Sequence, residues 1–287
     1  MNNKIEVKSL MKSYGDNEVL KGISFEVKQG EIFALLGTNG AGKTTTLECI
    51  EGIRKYQSGE IKVNGKTGVQ LQSSSLPQHM KACEALKLFA KWSGTTVDEA
   101  FVRRLGYDEI KNKAYKDMST GQKRRLHLAL AMTGNPEIVF LDEPTAGLDV
   151  EGRAALHEEI RTLKAQGKTV ILASHDMAEV EALCDRIAIL KDGVIAFIGT
   201  AGELTQQMSD TFKVLIRLAP PVSLNGLKHC VFAGAFQGYD TFETASLEDG
   251  LAELLAAVKA GGAHVRDLKI EHASLEQRFL DIAKEGK

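Results

Sequence analysis

The sequence predicts an α/β fold. The expected architecture is a parallel sheet covered on both faces, an interposed, mainly helical segment, and a small α+β appendage at the C-terminal end. Three observations carry this. Short runs that are apolar throughout, such as Ile32-Phe33-Ala34-Leu35-Leu36, are too short for independent helices and offer no polar face to water, so they read as strands buried on both sides. Such runs alternate along the chain with stretches of helical spacing. A glycine-rich loop joins the first of them to the helix that follows, which is how an α/β unit begins.

In chain order, Ile5-Glu6-Val7 alternates as a strand does, and Val19–Val27 mixes apolar and turn residues ahead of the turn at Gln29-Gly30. After the buried strand at 32–36 and its glycine loop, a helix is expected from Lys43 to about Gly52. From Pro77 to about Tyr115, residues such as Ala82, Leu86, Phe89 and Ala90 recur at helical spacing, and Trp92 is expected to pack locally beside Phe89. Gly121–Thr133 reads as a largely buried helix, Ile138–Leu141 as a second buried strand and Ala154–Ala165 as an amphipathic helix. Strands at Thr169–Ala173 and Arg186–Leu190 flank a helix at Met177–Cys184, and a turn follows at Asp192-Gly193. The pattern loosens after Gly199, which places a domain boundary between 204 and 205. Beyond it Phe212–Leu218, Tyr239–Thr244, Leu251–Lys259, His264–Ile270 and Leu275–Ala283 make up the appendage.

Composition narrows the functional class. The 287 residues carry 36 basic and 38 acidic side chains and are 43% hydrophobic, the balance of an ordered globular protein with no basic stripe for nucleic acid. No apolar run approaches the roughly 18–20 residues needed to cross a bilayer, and the first residues lack a signal-peptide core, so a cytoplasmic chain that does not itself span a membrane is expected. Cys49, Cys83, Cys184 and Cys230 show no ligand spacing and read as reduced thiols.

The chemistry concentrates in two places. Gly37-Thr38-Asn39-Gly40-Ala41-Gly42-Lys43-Thr44 fits G-x-x-x-x-G-K-[ST] in the required strand–loop–helix context. Glycines let backbone N–H groups converge on phosphate, the helix start adds its positive end, Lys43 offers a point charge and Thr44 a hydroxyl for Mg²⁺. The Gly-Lys-Thr triplets at 65–67 and 167–169 lack the first glycine and are discarded. The strand 138–141 delivers Asp142 and Glu143 to its carboxyl end, where open α/β sheets bind ligands. There Asp142 can hold a metal, and Glu143 can orient or deprotonate a water.

With further motifs in order, the chain resembles an ATP-binding-cassette (ABC) transporter ATPase from about Ile5 to Leu204. Met118-Ser119-Thr120-Gly121-Gln122 resembles the family signature, Gln72 the Q-loop glutamine, and Ala146-Gly147-Leu148-Asp149 the D-loop. His175 resembles the switch histidine and Tyr14 the aromatic that stacks on adenine. The resemblance implies a P-loop core with a helical signature subdomain (about 76–133) and an antiparallel β subdomain. It also implies ATP and Mg²⁺ as ligands, with Thr44, Gln72 and Asp142 around the metal. Glu143, His175, Gln72 and Lys43 would serve catalysis. Residues 37–45, including Thr45, together with Tyr14 and Asp149, would contact the nucleotide. Two such domains pair head to tail, so that Ser119, Gly121 and Gln122 reach the γ-phosphate held by the partner. A separate integral-membrane permease, docking near Gln72–Trp92, would hold the chain at the cytoplasmic face of the membrane. The other six histidines are read as structural.

Three departures from the family pattern stand out. Thr120 occupies the usual first glycine of the signature, where a Cβ restricts the backbone. The passage between Asn64-Gly65 and Gly68-Val69 is short. Ala273-Ser-Leu-Glu-Gln-Arg-Phe-Leu280 resembles the closing helix of ABC-2-type drug, antibiotic and bacteriocin exporters. An exporter ATPase is therefore expected. The competing readings are a soluble ABC ATPase acting on ribosomes or DNA, and an importer ATPase with a regulatory C-terminal domain. The single P-loop and the absence of sustained heptads weigh against the first.

Overall fold

The computed structural model describes residues 2–70, 76–206, 212–224, 226–271 and 279. The chain divides into two compact units, Met1–Thr200 and Ala201–Lys287. The division falls slightly before the boundary read from the sequence, because Ala201–Gln206 forms a helix (α8) grouped with the later residues.

The first unit is organised by a six-stranded sheet. Its strands are β3 (Ile32–Leu36), β5 (Thr67–Gln70), β6 (Ile138–Asp142), β7 (Thr169–Ser174), β8 (Arg186–Lys191) and β9 (Val194–Gly199), in the order β5-β6-β7-β3-β8-β9. Neighbours run parallel except at the β8–β9 edge, which is antiparallel. The sequence reading stops at the turn before β9. The chain instead doubles back through Asp192 and Gly193, both at positive φ, and adds an edge strand.

Why the central strands are apolar throughout is visible in their alternation. Phe33, Leu35, Phe140, Ile171 and Ala173 face one core, while Ile32, Val139, Leu141, Val170 and Leu172 face another. The first core lies under an antiparallel sheet of order β2-β1-β4, made of β1 (Asn3–Tyr14), β2 (Asn17–Lys28) and β4 (Ser58–Val63). It also takes in α1 (Lys43–Ile50), and Phe25 stacks on Phe33 at 5.4 Å. The second core is covered by α2 (Ala82–Trp92), α3 (Glu99–Arg104), α4 (Tyr107–Ile110), α5 (Thr120–Ala131), α6 (Val150–Ala165) and α7 (Met177–Leu183). The helix read from Ala154 thus starts a turn earlier, capped by Asp149. Trp92 packs locally beside Phe89, as its spacing suggests. The two rings lie 5.5 Å apart, on a surface where Trp92 is 73% exposed. The short 64–68 passage leaves three residues between β4 and β5, pinned where Glu137 N–H donates to the Lys66 carbonyl at 2.8 Å.

The second unit contains an antiparallel sheet of order β11-β12-β10-β13, from β10 (Phe212–Ala219), β11 (Val231–Phe236), β12 (Tyr239–Thr244) and β13 (His264–Glu271). The helix α9 (Leu247–Ala260) covers one face, packing Leu254 and Val258 with Val214, Ile216 and Phe242. Strand β11 was not expected from the sequence, because its residues are largely exposed and give no burial pattern. The motif at 273–280 lies outside the described residues apart from Phe279, which is buried. Among the described residues no helix is long and apolar enough to cross a membrane.

Candidate functional site

The carboxyl ends of β6, β7 and β3, three adjacent strands, deliver the segments marked in the sequence. After β3 the loop reaches α1 through Gly42, which caps the helix at φ 106°. A side chain there would be strained, and its Cβ would lie 2.7 Å from Leu20 Cδ2. At Gly37 a Cβ would lie 2.6 Å from the Leu190 carbonyl, so the loop backbone passes close under β8. The first turn of α1 carries no acidic residue and no side-chain cap. Its initial N–H groups are therefore left for an anion.

A cleft of about 510 Å³ opens here, lined by Thr38, Asn39, Gly40, Gly42, Lys43, Thr44, Thr45 and Glu143, together with Asn17 and Val19. The last two come from the start of β2 and carry no motif; the turn that brings them to the loop is tertiary. Lys43 Nζ donates to the Gly37 carbonyl at 2.7 Å and lies 3.4 Å from that of Thr38. Burial lowers its pKa, opposed by the nearby Glu143 and Asp142 carboxylates. Thr44 Oγ1 donates to Asp142 Oδ2 at 3.0 Å. The other oxygen of Asp142, Oδ1, is buried without a hydrogen-bond partner, and burial pushes the acid's pKa up. A buried carboxylate with a spare oxygen beside the solvent-facing Thr44 hydroxyl is a hard-donor set that fits Mg²⁺.

Glu143 leaves β6 at φ 48°, its N–H donating to the Ala173 carbonyl of β7 at 2.9 Å. That turn separates its carboxyl group from that of Asp142 and brings it to His175, whose Nδ1 lies 2.8 Å from Oε2 and 2.9 Å from Oε1. Two residues far apart in sequence thus meet at the cleft, one buried and one 62% exposed at its side chain.

The remaining sequence candidates sit elsewhere. Gln72 lies outside the described residues. Tyr14 is not part of the cleft lining; it is 42% exposed, with Lys12 and Arg54 over its ring at 4.8 and 5.3 Å. Ser119 caps α5 in a reciprocal box with Gln122, in which Gln122 N–H donates to Ser119 Oγ and Ser119 N–H to Gln122 Oε1. Both residues, with Gly121, lie outside the cleft lining. Thr120 is the first helical residue of α5, so the position requires no glycine backbone; its methyl faces Gly147 of the 146–149 loop. Asp149 caps α6 by accepting from Gly152 N–H at 2.8 Å.

A parallel sheet whose glycine loop and helix start face a lysine, a hydroxyl and two acids defines a P-loop nucleotide-binding protein. The sequence profile of the ABC transporter family matches residues 20–146. An uncharacterised ABC transporter ATP-binding protein of Methanocaldococcus jannaschii is 39% identical over 215 residues, covering 73% of this chain and 82% of that protein. The linearmycin resistance ATP-binding protein of Bacillus subtilis is 34% identical over 97% of both chains. Among solved structures, an ATP-binding subunit of an ABC transporter matches with TM-score 0.66 and 28% identity over 71% of this chain and 92% of that one. A bacterial ABC transporter cassette described as dimeric matches with TM-score 0.63 and 25% identity over 68% and 98%. The chain belongs to the ABC transporter ATP-binding protein family and is an ATP-binding, ATP-hydrolysing transporter subunit.

Proposed function

We propose that this chain is the ATPase of an exporter, working with a separate permease at the cytoplasmic face of the membrane and pairing head to tail with a second nucleotide-binding domain. The hydrolytic reading is carried by the Glu143–His175 contact at the rim of the Lys43 cleft. Lys43, Thr45 and the loop N–H groups bind the phosphates, and Lys43 exchanges its carbonyl partners for phosphate oxygens. Glu143 orients and deprotonates the attacking water, and His175 holds Glu143 and reaches the γ-phosphate. Mg²⁺ would be held by Thr44 and Asp142, with Gln72 as a further oxygen donor, and would neutralise phosphate charge. Tyr14, outside the cleft lining, supplies the ring for adenine. Ser119, Gly121 and Gln122 serve the partner's site, which fits their position outside the cleft lining, and Asp149 lies in the same pairing surface. Export rather than import is supported by the relative named for linearmycin resistance, whose match includes the second unit.

Replacing Glu143 by Gln should leave ATP binding intact, cut steady-state hydrolysis by about 10²–10⁴-fold and accumulate an ATP-bound dimer on size exclusion. Wild-type turnover in that variant would remove Glu143 as the base. Lys43→Ala should abolish tight nucleotide binding in an equilibrium titration. Pull-down from solubilised membranes should recover a multi-spanning polypeptide. Recovery with ribosomes alone would contradict the transporter role, and a permease accompanied by an extracellular binding protein would reverse the direction.

A further inference from the structure

Behind the cleft lies a second polar cluster that no motif marks. Glu179, in α7, has a fully buried side chain. Its Oε2 accepts from Ser174 Oγ at 2.6 Å, and Ser174, itself fully buried, immediately precedes His175. Ser174 Oγ also accepts from Asp176 N–H at 3.0 Å, so the hydroxyl clamps the backbone on the far side of His175. A hydroxyl from Thr145 stabilises the same carboxylate, and Thr145 lies two residues beyond Glu143, at the start of the 146–149 loop. On its other side Glu179 Oε1 faces His157 Nε2 of α6 at 3.5 Å, both atoms buried and short of a hydrogen bond. Burial raises the pKa of Glu179, which is the cost of placing a carboxyl group here. A buried ionisable group of this kind is strongly destabilising unless its partners are held, and partners held by it are in turn held to each other.

We infer that Glu179 is a positioning residue for hydrolysis: its carboxyl group ties the turn bearing His175 to the Thr145 segment that follows Glu143, so that the two halves of the water-orienting pair keep their register. Either half alone is a strand end with freedom to swing. Joined through one buried acid, the end of β7 and the exit from β6 move as one body. The inference rests on Glu143 and His175 being the hydrolytic pair. Nucleotide binding does not depend on Glu179, since none of its contacts reaches the loop at 37–45.

The test is steady-state ATPase measurement on the full chain with MgATP. Glu179→Gln, which keeps the shape, and Ser174→Ala, which deletes only the hydroxyl, should each lower kcat about tenfold with KM for ATP changed less than about twofold. In a His175→Ala background, Glu179→Gln should add less than about twofold, because the group it positions is gone. Unchanged kcat in both single variants overturns the inference. So does a tenfold loss that persists in the His175→Ala background, since that is what a general packing defect gives. If Glu179→Gln does not fold, Ser174→Ala decides alone by the same two criteria. Glu143→Gln run alongside separates the two claims: if it keeps wild-type turnover, the hydrolytic pair is wrong, whereas its loss with unaffected Glu179 and Ser174 variants condemns only the positioning role.

Discussion

At Glu51 the protein keeps a carboxyl group where its surroundings oppose its charge. The residue caps the C-terminal end of α1, and its Oε2 is buried without a hydrogen bond. Burial first, then the carboxylates of Asp142 and Glu48, pushes its pKa up to about 7. Thr44, Glu48 and Glu51 follow each other at helical spacing, so acids accumulate along the same face as the Thr44 hydroxyl. A folded-state pKa above the unfolded value means that the native chain holds the proton more tightly. The resulting stability is fully present below about pH 4.5 and is lost as pH rises through 7. Glu51→Gln should therefore melt higher than the parent at pH 8, by about 2–4 °C, and no higher at pH 4.5, in thermal scans without nucleotide and with chelator present. Equal melting shifts at both pH values would show that the carboxyl group carries no proton-linked cost. Residues of this kind set the limit of sequence reading. Lys43, Thr44, Asp142 and Glu143 are legible because their spacing along one loop or strand is itself the chemistry. Glu51, Glu179, Asn17 and Val19 acquire their surroundings only when distant elements close over them.

Elements show the same division. Strands β3, β6 and β7 were readable because two cores bury every position along them, whereas β4, β9 and β11 are edge strands whose mixed exposure resembles a loop. In α5 the cap at Ser119 is legible in the residue type, but the state of His127 further along the helix is not. His127 is buried, with Tyr115 Oη 2.9 Å from its Nε2 and Tyr115 edge-on at 5.6 Å between ring centroids. Burial, reinforced by Arg124 and Lys123, lowers its pKa to about 4. Here the folded pKa lies below the unfolded one, so the stability is present above about 6.5 and is lost as pH falls toward 4. Between pH 7 and pH 4.5 the parent should lose about 2–3 kcal/mol more than His127→Gln in urea unfolding. Parallel losses in the two proteins would mean that the imidazole titrates as if exposed.

At the scale of the whole molecule, the units divided at Thr200 contain different hydrophobic clusters among the described residues. Every side chain in the clusters on either face of the six-stranded sheet comes from the first unit, and the cluster under α9 is drawn entirely from the second. Among the described residues, the nucleotide cleft is likewise lined by positions between Asn17 and Glu143. About 200 residues are ample to close a core alone, whereas the second unit, well under 100 residues, is near the size where a single small core is marginal. The two should therefore differ in autonomy. A chain ending at Gln206, which keeps α8 with its fully buried Leu204, should fold cooperatively and bind ATP with Kd within about twofold of the full protein. The even charge balance supports this. With 36 basic and 38 acidic groups there is no general attraction for a triphosphate, so affinity must come from the local loop, helix start and Lys43, all of which the shortened chain retains. Calorimetry and a fluorescent-nucleotide titration on both chains check it. If the shortened chain aggregates, or its Kd rises tenfold, the second unit is part of the folding unit that builds the cleft, and any separate role for it at the permease would have to be argued on other grounds.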